Sequence, residues 1–188
     1  MSKATLRTFI AHVEDLPGVL NRVTSLLRRR NYNIVSLTVG RTERPGVSRM
    51  TIVLEADDDG ARRIEANLYK LVNVLWVQDT SQAATIEREV ALVKVRADGA
   101  NRSEVMGLVA ALQARVVDVG REALVVEITD TGDKINGLVE VLQPFGIIEM
   151  VRTGAVAMVQ TSEATEPTDD ARAPSTPKPP SPEGVRAA

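Results

Sequence analysis

Two hydrophobic periods, two residues and 3.6 residues, take turns along the chain, and they do so twice in the same order. Residues 6–13 put Phe9, Ala11 and Val13 on one side, the alternation of a half-buried strand. Asp15-Leu16-Pro17-Gly18 then opens a helix, Asp being an N-cap residue type and Pro suiting the first turn. Val19, Leu20, Val23, Leu26 and Leu27 make a single apolar stripe. Arg28, Arg29 and Arg30 place cations at the negative end of the helix dipole, and Asn31 stands where a left-handed residue ends the helix. Residues 33–39 and 48–54 are β-rich runs parted by Gly40, Pro45 and Gly46, which predicts a hairpin with a long loop. A second helix begins at 57–60 and turns Ala61, Ile64, Leu68, Leu71 and Val72 inward, and 74–77 is a short strand.

The order then repeats. Residues 90–95 read as a strand, and Asn101 with Glu104 resembles a capping box for a helix facing inward with Val105, Leu108, Val109 and Leu112. Residues 115–119 and 123–128 pair around Gly120. Asp130 or Thr131 caps a helix carrying Ile135, Leu138, Val139 and Leu142, which Pro144 and Gly146 end. Residues 147–159 form a last extended run. The fold class is therefore α+β, two tandem ferredoxin-like βαββαβ units of about 75 residues each. We place them at 1–80 and 81–160.

Composition changes the picture mainly at the C-terminus. Six of the nine prolines follow Thr161, among Ser, Thr, Ala, Glu and Asp and almost no large apolar side chain, so 161–188 is expected to be a disordered tail. Its five acids and three bases carry the whole net charge of -2; the rest of the chain holds twenty of each sign. Such neutrality argues against bulk nucleic-acid binding. No apolar run approaches the roughly 20 residues of a membrane span, and residues 1–14 lack the features of a secretory signal, so a cytoplasmic protein is expected. With no cysteine and one histidine, thiolate nucleophiles, disulfides, thiolate metal sites and multi-histidine sites are excluded. Small cores with 3% aromatic residues, and sheets with one uncovered face and open edges, predict a homodimer or larger assembly in which sheets join edge to edge or face to face.

Most chemical motifs reduce to structure. His12 points away from the Phe9, Ala11 and Val13 side and has no nucleophile or orienting partner in the sequence, so a packed or interface histidine is expected. Asp57, Asp58 and Asp59 lack the spacing of a calcium loop and suit a helix N-terminus. None of the twelve glycines makes a phosphate-binding Gly-x-Gly. The run 48–53 has no aromatic residue, which removes the base-stacking platform of RNA-binding domains with the same element order. What remains is the turn after the first strand. A helix N-terminus suits a carboxylate, Gly18 admits a close approach, Asp15 can accept from an ammonium group, and Asn33 offers both a donor and an acceptor. With Leu16, Val19, Leu20 and Ile34 as an apolar wall, these describe a pocket for a free aliphatic amino acid.

Asp15-x-Pro17-Gly18-x-Leu20 resembles the opening motif of ACT domains, which sense amino acids and share this element order. Tyr32-Asn33-Ile34-Val35-Ser36-Leu37, Ser48-Arg49-Met50-Thr51-Ile52-Val53, Lys70-Leu71-Val72-Asn73-Val74, Glu87-Arg88-Glu89, Leu92-Val93-Lys94-Val95 and the run from Gly146 to Gly154 are similar to the regulatory (small) subunit of acetolactate synthase. That resemblance implies a chain without catalysis of its own. Its expected partner is a catalytic large subunit that carries thiamine diphosphate, magnesium and FAD, none of them held by this chain. It implies activation of that subunit and feedback inhibition by valine bound between two ACT domains of a dimer; the alternative is a stand-alone ACT sensor acting on another partner. Carried over by position, Asp15, Gly18 and Asn33 would hold the ligand's polar groups, with Leu16, Pro17, Val19, Leu20 and Ile34 around them. The sequence departs from the family at Asn31, often Gly, at Val35, often Glu, and at Asp15, where some members carry Asn.

Overall fold

A computed structural model describes residues 4–162; the expected tail lies, from residue 163 onward, outside the described residues. The first sheet takes β1 (Thr5–Glu14), β2 (Ile34–Arg41), β3 (Val47–Ala56) and β4 (Val74–Asp79) in the order β2-β3-β1-β4, with α1 (Val19–Arg29) and α2 (Asp58–Leu68) as its crossovers. The second takes β5 (Thr85–Arg96), β6 (Arg115–Val119), β7 (Ala123–Asp130) and β8 (Ile147–Arg152) in the order β6-β7-β5-β8, with α3 (Arg102–Ala111) and α4 (Gly132–Leu142). Neighbouring strands are antiparallel throughout. This is the expected α+β architecture, twice.

Each sheet has its own core. Phe9, Ala11 and Val13 of β1 pack with Met50, Ile52 and Leu54 of β3 under Val23 and Leu27 of α1 and Ile64 and Leu68 of α2. Val93 and Val95 of β5 pack with Leu124 and Val126 under Val105, Val109, Ile135 and Leu138. The helix stripes read from the sequence mostly face these cores, with exceptions at their ends. Leu20 is 43% exposed, Val72 lies beyond the end of α2 and is 68% exposed, and Leu112 is at the surface.

Helix ends follow local chemistry. Asn31 has φ 60°, and the amides of Asn31 and Tyr32 bond the carbonyls of Arg28 and Leu27, which closes α1 with a left-handed cap. Asp57 Oδ1 accepts from the Gly60 amide at 2.7 Å and caps α2. Two expected caps are corrected. Asn101 makes no capping bond with its side chain; Asp98 Oδ1 instead accepts from the Ala100 amide at 2.8 Å, one turn earlier. Asp15 is not the N-cap of α1 either, because the helix starts at Val19 and its cap is Gly18, at φ 85°.

The largest correction concerns the uncovered face of the first sheet. The expected last run divides into β8 and β9 (Val156–Val159), and β9 pairs with an N-terminal extension of β5 at Thr85–Arg88. This ribbon lies on the outer face of the first sheet. Arg49 Nη2 donates to the Ala157 carbonyl at 2.6 Å, Thr8 Oγ1 donates to Glu87 at 3.1 Å, and the Ala155 amide donates to Ser36 Oγ at 3.0 Å. Ile10 and Thr51 on that face are 1% and 3% exposed. The chain thus covers part of its own sheet, and an open face no longer supplies a reason for self-association.

His12 sits beside the ribbon, its ring 5.1 Å from that of Trp76 and Nε2 3.4 Å from Arg49 Nη1. Burial, and then the Arg49 charge, hold its imidazole below the ordinary 6.5, with Arg44 adding to the depression and Glu43 opposing it. Unfolded chains take up a proton near 6.5 that the folded chain refuses, so stability falls as pH drops from there toward the depressed folded value. His12→Asn should flatten that part of the profile, followed by urea midpoints between about pH 7.5 and 5.5. An unchanged slope would assign it to another group.

Candidate functional site

The turn singled out in the sequence leaves β1 at Glu14, and three backbone bonds shape it. The Glu14 amide donates to the Asn73 carbonyl, the Asp15 amide to the Gly46 carbonyl at 2.8 Å, and the Leu16 amide to the Glu14 carbonyl. Beneath it runs a polar network that sequence reasoning missed. Glu14 is 6% exposed and accepts from Asn73 Nδ2 at 2.5 Å, while Asn73 Oδ1 accepts from Arg22 of α1. A buried carboxylate bonded in this way fixes the turn against the first helical turn. The missed signal is the pairing of Arg22 with a polar residue in an otherwise apolar stretch, Leu71-Val72-Asn73-Val74.

Gly18 adopts the left-handed conformation, and a Cβ placed on it would meet nothing within 4 Å. It caps α1 without a side-chain hydrogen bond; the Val19 amide donates to the Leu16 carbonyl at 3.3 Å, and the rest of the helix N-terminus suits a carboxylate from outside. Asp15 is turned away from the helix toward Arg41, Oδ2 to Nε 3.6 Å. Leu16 and Leu20 are exposed at 42% and 43%; only Val19 is buried, inside the core. The turn is therefore an open surface.

Asn33 and Ile34 lie elsewhere. Asn33 immediately precedes β2 and Ile34 opens it, past the C-terminal end of α1, whose 11 residues span about 16 Å at the usual rise. There they line a groove of about 470 Å³ with Tyr32 and with Asn21, Thr24, Ser25 and Arg28 of α1. Those four helix residues are spaced i, i+3, i+4 and i+7, a polar stripe readable in the sequence that the search for apolar stripes passed over. Within one chain the fold does not unite the two halves of the expected pocket. Both halves nonetheless lie along one border of the molecule, formed by α1 and by β2, an edge strand of the first sheet.

Among the described residues, no group of three or more His, Asp or Glu could hold a metal ion, and no helix is long and apolar enough to cross a membrane. The fold is a βαββαβ unit with the element order of an ACT domain, followed by a second ferredoxin-like unit. Residues 9–76 match the family model "AHAS small subunit-like ACT domain", and residues 88–161 match "Small subunit of acetolactate synthase". The chain is 43% identical to the acetolactate synthase small subunit of Mycolicibacterium smegmatis over 159 residues, 84% of this chain and 94% of that one. It is 41% identical to the Bacillus subtilis small subunit over 152 residues, 80% and 88% of the two chains. The crystal structure of the Thermotoga maritima small subunit superposes with a TM-score of 0.77 at 36% identity, covering 83% of this chain and 98% of that one. The chain belongs to the acetolactate synthase small-subunit family. It is a non-catalytic, regulatory subunit, and its partner is the large subunit of that enzyme.

Proposed function

We propose that this chain senses valine at a seam between two copies of its ACT unit, stimulates the thiamine-diphosphate-dependent large subunit, and imposes feedback inhibition on it. The observation that carries the reading is the split of the expected ligand contacts along one open border. Arg41, at the end of β2, reaches Asp15, so that end of the strand lies beside the Gly18 turn. If the free edge of β2 pairs antiparallel with the same edge of a second copy, the start of one strand comes to lie beside the end of the other. Asn33 and Ile34 of one protomer would then face Asp15, Leu16, Pro17, Gly18 and Leu20 of its partner, with Val19 behind them. Such a two-fold, self-complementary contact produces two equivalent sites.

In this arrangement the first-turn amides of α1 take the carboxylate of valine, Asp15 takes its ammonium group with Asn33 completing the polar set, and Leu16, Pro17, Leu20 and Ile34 enclose the isopropyl group. The polar residues on the α1 face, small except for Arg28, permit two helices to approach across the seam. Residues 1–80 are the sensing part and 81–160 the second ferredoxin-like part; magnesium, thiamine diphosphate and FAD reside on the large subunit, in the cytoplasm. Valine stabilises one dimer arrangement over another, and the large subunit distinguishes them, which needs a coupling of only about 1–3 kcal/mol.

Reconstitution tests this directly. Acetolactate formation by the large subunit should rise when the full chain is added, and added valine should reverse the gain. No stimulation and no valine response would overturn the reading.

A further inference from the structure

We propose that Gly154, wedged against the outer face of β2, is the joint through which the state of the ACT seam reaches the second ferredoxin-like unit; the proposal rests on the seam reading above. Gly154 lies between β8 and β9, and a Cβ placed on it would fall 2.6 Å from Ser36 Oγ, 2.6 Å from Thr38 Oγ1 and 3.2 Å from the Leu37 carbonyl oxygen. A side chain there would force the Ser36 and Thr38 hydroxyls to turn aside and the chain to back away from the Leu37 carbonyl. The next residue is tied to the same strand, because the Ala155 amide donates to Ser36 Oγ at 3.0 Å. β2 therefore presents its free edge to the proposed seam and the face of its middle residues to Gly154.

On the other side of the joint, two residues back, Arg152 gathers the second unit. Its Nε pairs with Glu89 of β5, Nη1 donates to Asn136 Oδ1 at 2.7 Å, and Nη2 donates to the Gly132 carbonyl at 3.3 Å. One side chain thus connects the β8 end to β5 and to the first turns of α4. A shift of β2 as the seam closes on a ligand pushes on Gly154 through only the short side chains of Ser36 and Thr38 and the Leu37 carbonyl, and Arg152 carries that displacement to α4. Close-packed contacts of this kind switch between arrangements instead of absorbing small shifts. Thr38 Oγ1 is buried at the joint without a hydrogen-bond partner among the described residues, so a second arrangement of β2 has a bond to gain.

A relay is separable from a binding site and from a mere packing contact. Gly154→Ala must push Ser36 off its bond and move the chain away from the Leu37 carbonyl, while Arg49 still holds Ala157 and keeps the ribbon in place. Full-length Gly154→Ala should bind valine within about threefold of the parent by calorimetry and should still stimulate the large subunit, yet the depth of inhibition at saturating valine should fall by about half or more. Ser36→Ala, which removes one hydrogen bond and adds no bulk, should move the same way to a smaller extent and decides the matter if Gly154→Ala melts early. Unchanged depth of inhibition in both variants would overturn the relay, and so would parallel loss of valine binding in both, since that would put the joint inside the site. A parent chain that binds no valine would instead remove the seam reading, and the relay with it.

Discussion

Gly18→Asp should abolish valine inhibition while leaving the chain able to associate with the large subunit and stimulate it. The expected effect is large because it is electrostatic and occurs where the ligand's own carboxylate is to be held. Like charges brought together in a desolvated interface cost several kcal/mol, which corresponds to an increase of about 100-fold or more in the half-inhibitory valine concentration. The structure identifies a competing cause that must be separated from charge. Gly18 is at φ 85°, which side-chain-bearing residues adopt with strain, although open space surrounds its Cβ position. Gly18→Asn has nearly the same shape and tolerates the left-handed conformation equally well, but lacks the charge. It should retain valine sensitivity with a much smaller loss. Equal losses in the two variants would attribute the effect to backbone strain, and a Gly18→Asp chain as valine-sensitive as the parent would remove this turn from the site.

The turn also shows which kind of information is local. Asn31 and Asp57 take the roles expected of them because each acts on amides and carbonyls within a few residues. The helix stripes were readable for the same reason: their period is a local property, and it failed where an end of the stripe ran past the core, at Leu20, Val72 and Leu112. Asp15 was misplaced as a cap because its partners are distant. Its amide is taken by Gly46 and its carboxylate by Arg41, both brought in by the β2–β3 hairpin. The Thr85–Arg88 extension of β5 was illegible for a stronger version of that reason. Residues 85–88 precede the run 90–95 expected as a strand, and they extend it because β9 pairs with them and Glu87 receives a bond from Thr8 of the first sheet. Strand propensity there is conferred by the surroundings.

The proposed site was half legible in the same sense. Residue types at Asp15, Gly18 and Asn33 could be matched to a carboxylate, an ammonium group and an amide partner, but their distance apart could not, since it depends on the direction in which β2 returns past α1. Covering of the outer face by the ribbon also redirects the case for self-association. That case now rests on the edge of β2, where Val35 and Val39 are 53% and 42% exposed, and not on the sheet face. Unpaired strand edges bearing apolar residues invite pairing with another chain.

A site shared between two copies makes a second strong expectation, which no arrangement confined to one chain can satisfy. Gly18→Asp and Asn33→Ala should each abolish high-affinity valine binding when prepared separately, because every site in either dimer lacks one of its two halves. Mixed and allowed to exchange subunits, the two inactive proteins should regain binding. In a mixed dimer one seam site takes the intact Gly18 turn from the Asn33→Ala chain and the intact Asn33 from the Gly18→Asp chain, while the other carries both defects. Random reassortment makes about half of the dimers mixed, each with one good site of two, so calorimetry should recover about a quarter of the parental stoichiometry at parental affinity. Inhibition of the reconstituted enzyme should return in the same proportion. If mixing restores nothing although exchange is demonstrated with differently tagged chains, the two halves do not meet across a dimer, and Asn33 and Ile34 serve only the groove beside α1 in their own chain.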